Sequence, residues 1–191
     1  MNNNQIQSNK AVAGSLAAQA QQKGQSLAEI FISADCIVLV DTSGSMGMSD
    51  GMENTRYERA CDELKKIQNS MPGKICVISF SDETMFCPSG VPWDYGSGTD
   101  LARALKFSKI ADVPDMRFIV ISDGQPDDPQ AAINAANQYN NRIDTIFIGG
   151  SSNEGQAFLE RLANASGGKA ARDFSATKLS DTVKGLLSNG N

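Results

Sequence analysis

The chain has 191 residues, enough for one domain with a substantial core, and its 40% hydrophobic and 6% aromatic residues are ordinary for a globular protein. Its formal net charge is −5 and it has no cluster of basic residues, which argues against nucleic acid or an anionic membrane as the main partner. It contains no histidine, which excludes Ser-His-Asp and Cys-His catalysis and every imidazole metal site.

The N-terminal part is predicted to be a polar arm, residues 1–33, before a single domain at residues 34–191. The arm begins with a stretch rich in Asn, Gln and Ala, which cannot bury enough apolar surface to fold alone. A short helix is predicted towards its end, because Ser26 and Glu29 have the spacing of a capping box. The arm is interpreted either as a flexible extension or as a segment that binds a partner or another copy.

Targeting and redox signals both favour the cytoplasm. The apolar stretch at residues 11–17 is interrupted by Gly and Ser, so it is a poor signal peptide, and no apolar run reaches the length of a membrane span. The four cysteines form no C-x-x-C pair, which makes a zinc site a poor interpretation and favours buried thiols in a reducing compartment. A Cys36–Cys76 disulfide is the alternative, since these residues fall on strands predicted to be neighbours.

From residue 34 onwards, short apolar runs alternate with segments of helical periodicity. Strands are predicted at 36–40, 75–80, 84–87, 118–121, 143–148 and 169–174. Helices are predicted around 57–71, 101–108, 131–139, 158–163 and 179–187. This alternation indicates an α/β fold, a doubly wound and mostly parallel sheet with helices on both faces and one short antiparallel edge strand. The charged pair Arg59 and Glu63 is expected on a solvated helix face.

The segment Asp41-Thr42-Ser43-Gly44-Ser45 follows directly on the first apolar strand. The oxygen side chains of Asp41, Ser43 and Ser45 stand at alternating positions and can converge on one point. Oxygen ligands suit a hard cation, Mg²⁺ first and Mn²⁺ or Ca²⁺ as alternatives. Taken by itself, the segment is equally compatible with a solvated Ser/Gly turn.

Two further residues favour the metal site. Thr99 opens an amphipathic stretch and Asp123 follows a second buried strand, and ligands of doubly wound folds bind beyond the carboxyl ends of such strands. In order and placement, Asp41, Ser43, Ser45, Thr99 and Asp123 resemble the metal-ion-dependent adhesion site (MIDAS) of the von Willebrand factor A (vWA) domain, a Rossmann-like fold. The resemblance is to bacterial or phage single-domain vWA proteins, and it implies that these five residues bind the metal.

The loops that border the predicted site carry candidate contacts for a partner, namely Met46, Met48, Trp93, Tyr95 and Gln125. Flexible methionines suit adaptable contact surfaces, and Trp and Tyr are frequent binding anchors. The alternative is that the methionines fill gaps and that the aromatic residues pack as a lid on the edge of the sheet.

The resemblance implies a metal-dependent protein-binding module in which an Asp or Glu of a protein partner completes the coordination of the ion. Family analogy alone suggests an adaptor for an AAA+ ATPase. The alternative is a structural or adhesion component of a larger assembly that uses the N-terminal arm. A Mg²⁺-dependent phosphohydrolase is disfavoured, because that class needs a second acid two residues after its nucleophile, where Ser43 stands. We therefore expect a protein that is not an enzyme.

Overall fold

The computed structural model describes residues 11–94, 96–150, 153–173 and 178–188. In these residues, one six-stranded sheet consists of β1 (Cys36–Asp41), β2 (Ile75–Phe80), β3 (Thr84–Phe86), β4 (Arg117–Ser122), β5 (Ile143–Ile148) and β6 (Ala170–Asp173). The strand order is β3-β2-β1-β4-β5-β6, and every neighbouring pair is parallel except β2 and β3. The predicted fold class is therefore confirmed, including the antiparallel edge strand.

Helices cover both faces of this sheet. Those in the described residues are α1 (Leu16–Lys23), α2 (Leu27–Ile32), α3 (Arg56–Ser70), α4 (Leu101–Ser108), α5 (Pro129–Ala136), α6 (Asn153–Ala165) and α7 (Leu179–Ser188). One core layer lies between the sheet and α3 and α7, and the other contains residues of the remaining five helices. Consecutive residues of β1 alternate between the layers, because side chains of a strand point to opposite faces. None of the described helices is both long and apolar enough to cross a membrane.

Residues 11–33 pack against the domain. Leu16 of α1 and Ile30 of α2 are almost fully buried in the core layer that they share with the sheet. The rings of Phe31 and Phe86 meet edge to face at 6.0 Å, which joins α2 to the edge strand β3. The predicted capping box of α2 is present, with the Ser26 hydroxyl accepting from the backbone of Glu29. The division of the chain at residue 33 stays a prediction, and residues 1–10 lie outside the described part.

The cysteine side chains do not form the disulfide that was considered as an alternative. In the register of β1 and β2, Cys36 lies opposite Ile75, and Ile37 lies opposite Cys76. The two thiols therefore point to opposite faces of the sheet and belong to different core layers. All four cysteines are free thiols. Burial raises the pKa of Cys76 to about 12, which keeps this thiol protonated.

Arg59 and Glu63 are not solvated, so this expectation from the sequence was wrong. The two residues are only 7% and 3% exposed. The guanidinium of Arg59 turns back to the loop before α3 and donates to the carbonyl of Ser49 at 3.0 Å. Glu63 accepts a hydrogen bond of 3.1 Å from the backbone N–H of Ser180, at the start of α7. Both side chains are buried because they tie α3 to other segments of the chain.

Candidate metal centre

The ends of β1 and β4 bring the two predicted acidic ligands to the same edge of the sheet. These strands are parallel neighbours, with Val40 opposite Ile121, so Asp41 at the end of β1 and Asp123 directly after β4 lie at the same edge. Asp41 is fully buried and Asp123 is 5% exposed. Two carboxylates this deep in the protein need hydrogen bonds, opposite charges or a cation to offset the loss of hydration.

Hydrogen bonds link the side chains of both loops into one group. The Ser43 backbone N–H donates to Oδ1 of Asp41 at 2.8 Å, and the Ser122 hydroxyl donates to Oδ2 at 2.5 Å. The hydroxyls of Ser43 and Ser45 lie 3.1 Å apart, and the Ser45 hydroxyl donates to Oδ1 of Asp123 at 2.7 Å. Four of the five predicted ligands are therefore brought together.

The loop that carries Thr99 joins the other two loops through its backbone. Gly44 donates from its N–H to the carbonyl of Ser97 at 2.9 Å. The N–H of Thr99 donates to Oδ2 of Asp127 at 2.8 Å, and the N–H of Asp127 donates to the carbonyl of Thr99 at 3.1 Å. A Cβ at Gly98 would lie 2.3 Å from Oδ1 of Asp82 and 2.8 Å from the same Asp127 oxygen, so a larger residue would force these two side chains to move. The fifth predicted ligand thus lies in a loop held against both of the others.

The predicted partner rim is only partly at the surface. The side chain of Met46 is 1% exposed and packs in the core layer under α3, so its assignment to the rim is corrected. It lies in the short 3₁₀ turn at Gly44–Gly47, and packing in this core layer holds the side chain inwards. Met48 and Trp93 are 57% and 38% exposed, and Gln125 is also exposed. The position of Tyr95 falls outside the described residues.

Burial raises the pKa of Asp41, the most deeply buried of the predicted ligands. Desolvation raises the pKa of Asp41 to about 6, and the hydrogen bonds from Ser122 and Ser43 offset only part of this rise. The neighbouring charge of Asp123 adds to the rise. A cation at this place would have the opposite effect, because it favours the ionised carboxylate.

Asp123 has charged neighbours that the sequence does not indicate. Nη1 of Arg56, the first residue of α3, lies 2.6 Å from Oδ2 of Asp123 and 3.3 Å from the carbonyl of Ser45. The same guanidinium binds both carboxylate oxygens of Asp50, whose pKa it lowers. No spacing rule could have found this contact, since Arg56 and Asp123 stand 67 residues apart. Ser122, which holds Asp41, was missed although it directly precedes a predicted ligand.

The donor set fits a hard divalent cation. It consists of two carboxylates and a group of hydroxyls, all of them oxygen donors of the kind that Mg²⁺, Mn²⁺ and Ca²⁺ prefer. Within the described ranges, no three side chains of His, Cys, Asp or Glu converge to hold a metal ion. A centre made of these residues therefore depends on the serine and threonine hydroxyls for most of its ligands.

The order of the strands defines a doubly wound α/β domain, and the hydrogen-bonded group of Asp and Ser side chains lies beyond the carboxyl ends of β1 and β4, where ligands of such folds bind. Structural comparison identifies the domain more closely, and the chain has the von Willebrand factor A fold. A scan against models of known protein families finds no match, and neither does a comparison with curated proteins.

Three solved structures illustrate the similarity. The von Willebrand factor type A protein from Catenulispora acidiphila aligns with a TM-score of 0.60 at 15% identity, over 82% of this chain and 42% of its own. The manganese-loaded TRAP protein of Plasmodium vivax aligns with a TM-score of 0.57 at 18% identity, over 81% of this chain and 73% of its own. Proximal thread matrix protein 1 of the mussel byssus, with zinc in its MIDAS motif, aligns with a TM-score of 0.55 at 15% identity, over 89% of this chain and 50% of its own.

Proposed function

We propose that the protein is a metal-dependent protein-binding module. In this proposal, the ligands of the ion are Asp41, Ser43, Ser45, Thr99 and Asp123, with Mg²⁺ as the resident cation and Mn²⁺ or Ca²⁺ as alternatives. The observation that carries it is the hydrogen-bonded group of two buried carboxylates and two serine hydroxyls at the carboxyl edge of the sheet. The manganese-loaded and zinc-occupied proteins of the same fold support a divalent cation at such a site.

The partner is proposed to present an Asp or Glu side chain. When bound, the cation supplies an electrophilic point whose open coordination position takes a carboxylate, because the hydroxyl ligands donate little negative charge. Met48, Trp93, Tyr95 and Gln125 are proposed as the surrounding contacts, and exposed methionine and tryptophan suit such a role. A cytoplasmic adaptor for an AAA+ ATPase is the finer form of this proposal, and it rests on family analogy.

A binding role is favoured over catalysis by the residues of the group itself. The position two residues after Asp41, where a phosphohydrolase of this fold type would place its second acid, is Ser43. Its backbone N–H is already engaged by Asp41 and its hydroxyl by Ser45. The charged side chain that contacts Asp123 is Arg56, which is held at the same time by Asp50. These contacts suit a fixed binding centre.

Calorimetric titration with Mg²⁺, Mn²⁺ and Ca²⁺ tests the proposal. The wild-type protein should bind one ion per chain, and Asp41→Asn and Ser43→Ala should each lose most of the affinity. Asp62→Asn is the matched control, because Asp62 is an exposed carboxylate on α3. Saturable binding in the wild type and in the control, lost in both site variants, supports the site. Equal affinity in all four proteins would refute it.

A further inference from the structure

A cluster of charged side chains, formed by two buried arginines and the exposed Asp50, touches the candidate metal centre. Arg56 contacts Oδ2 of Asp123 through Nη1 at 2.6 Å, and contacts the two oxygens of Asp50 through Nε and Nη2 at 2.7 and 2.5 Å. Arg59 adds a second cation, 3.3 Å from Asp50. Arg56 and Arg59 are only 8% and 7% exposed, so water screens their charges weakly.

The position of the Arg56 guanidinium is fixed on several sides. Both oxygens of Asp50 hold it in the bidentate geometry that arginine and carboxylate favour. A Cβ at Gly149 would lie 2.4 Å from Nε of Arg56. The guanidinium therefore packs closely on the backbone directly after β5. Asp50 itself has a φ of 53°, a left-handed conformation that costs energy in most residues other than glycine. Asp is one of the few residues besides glycine that adopt this conformation readily, and the loop turns at the residue that holds Arg56.

Asp123 divides its two oxygens between different partners. Oδ1 accepts from the hydroxyl of Ser45, on the side of the proposed cation, and Oδ2 accepts from Arg56. The charge of Arg56 therefore acts on the metal centre through a direct contact with one of its acidic members. Lysine could carry the same charge, but it would lack the planar fork that binds both oxygens of Asp50.

The charges of the cluster and the metal centre can be counted together. Asp41 and Asp123 contribute two negative charges, while Arg56, Arg59 and Asp50 together contribute one positive charge. A divalent cation would therefore bring these five side chains to a net charge of one positive unit, and the carboxylate of Asp127, which accepts from the N–H of Thr99, adds one negative charge nearby. With or without Asp127 in the count, the arginine cluster makes the metal-loaded group more positive by one unit and so more favourable for a carboxylate of a partner.

We propose that Arg56, held by Asp50, sets the charge of the metal centre: it weakens binding of the cation and strengthens binding of a single carboxylate to the loaded site. This inference rests on the proposed function and deepens it, since it gives the physical reason for selecting an ionised Asp or Glu over a neutral amide. The residue acts through Asp123 and is not itself a ligand of the ion.

Two charge variants with opposite signs test this proposal. Arg56→Gln removes one positive charge and Asp50→Asn removes one negative charge, and asparagine tolerates the left-handed conformation at position 50. The probes are Mn²⁺ alone, with the free ion measured by electron paramagnetic resonance, and acetate. Binding of acetate to the Mn²⁺-loaded protein is read from the loss of water-proton relaxation when it displaces a coordinated water.

Arg56→Gln should bind Mn²⁺ roughly threefold to tenfold more tightly, and its loaded form should bind acetate more weakly by a similar factor. Asp50→Asn should bind Mn²⁺ more weakly than the wild type, and its loaded form should bind acetate more tightly. Arg56→Lys keeps the charge but loses the fork that binds both oxygens of Asp50, so it should shift both affinities less than Arg56→Gln does. Arg117→Gln is the matched control, since Arg117 begins β4 and lies roughly 17 Å along the strand from its other end.

An orienting role without a charge effect makes a different prediction. Loss of a residue that only orients a ligand weakens metal binding by about 10- to 100-fold, so both variants would then shift in the same direction. Shifts in the same direction, or no shift in either variant, would overturn the proposal. If Arg56→Gln does not fold, Arg59→Gln replaces it. This variant also removes one positive charge from the cluster, so its affinities should shift in the direction opposite to those of Asp50→Asn. A wild-type protein that binds no Mn²⁺ would instead refute the proposed function. Failure of the charge proposal and failure of the proposed function therefore give different results.

Discussion

The hydroxyl of Ser45 donates a hydrogen bond of 2.7 Å to Oδ1 of Asp123, across 78 positions of the sequence. This bond joins the loop after β1 to the loop after β4, and it places a hydroxyl beside a carboxylate that is 5% exposed. The two loops therefore depend on each other, in stability as well as in any binding of a cation.

Ser45→Ala should reduce both stability and metal binding. The substitution leaves Oδ1 of Asp123 without its serine partner, and loss of a hydrogen bond to a buried charged group costs about 1–3 kcal/mol. The free energy of unfolding in urea, measured with and without Mg²⁺, checks this expectation. Ser97→Ala is the control, because Ser97 is exposed and its contact with Gly44 uses the backbone carbonyl. Equal unfolding free energies for both variants would contradict the account.

Metal binding should weaken at acidic pH because of Asp41. Burial raises the pKa of this carboxyl to about 6, so the folded protein favours its protonated form more than the unfolded chain does. In the metal-free protein, the stability that Asp41 contributes is fully present below its ordinary pKa of 3.8 and is lost as the pH rises through about 6. A cation requires the ionised form, so its binding should follow the opposite trend.

Thermal unfolding with and without Mg²⁺ measures this dependence. The rise in Tm on adding Mg²⁺ should be larger at about pH 7.5 than at about pH 5. Asp41→Asn should remove most of the rise at both pH values, since a neutral amide lacks the negative charge that binds the cation. A rise in Tm that is the same at both pH values in the wild type would contradict the assignment of Asp41.

Glu63 should stabilise the C-terminal helix α7. Its carboxylate accepts from the N–H of Ser180 at the start of that helix, and it pairs with Lys66. Burial by itself would raise the pKa of Glu63, but the contacts with Lys66 and Ser180 lower it, so the carboxylate is ionised where it caps the helix. Glu63→Ala should cost about 1–2 kcal/mol and speed hydrogen exchange of the α7 amides. Asp62→Ala, an exposed neighbour on α3, should leave that exchange unchanged.

Residues 11–33 should behave as part of the domain's core. Leu16 is 2% exposed and belongs to the same core layer as Phe118 of β4. Leu16→Ala should therefore lower the free energy of unfolding by about 2–4 kcal/mol, as truncation of a buried leucine does elsewhere. Leu187→Ala, a partly buried leucine of α7, should cost less. An unchanged unfolding free energy for Leu16→Ala would support a separate arm up to residue 33.

The fold was predictable because its signals are local. Short, mostly apolar runs predicted the observed bounds of β2 and β5, and the turn residues after Phe80 predicted the hairpin that pairs β2 with β3. The group formed by Asp41, Ser45 and Asp123 was predictable for a related reason, because the carboxyl ends of parallel neighbours meet at one edge.

The remaining features depend on contacts between distant segments. Nothing in the spacing of Arg56 indicates that its side chain reaches Asp123, and the burial of Glu63 depends on α7, which begins more than a hundred positions later. Met46 was placed on the rim because of its neighbours in sequence, but the direction of a side chain in a single 3₁₀ turn is set by tertiary packing. Sequence periodicity has no information on either kind of contact.

The position of a bound ion is the most direct test of the metal centre. In crystals grown with Mn²⁺, the account predicts an anomalous difference peak within about 2.5 Å of the hydroxyl oxygens of both Ser43 and Ser45, with Asp41 and Asp123 beside it. A peak elsewhere on the protein, or none in crystals whose protein binds Mn²⁺ in solution, would contradict the assignment of this site.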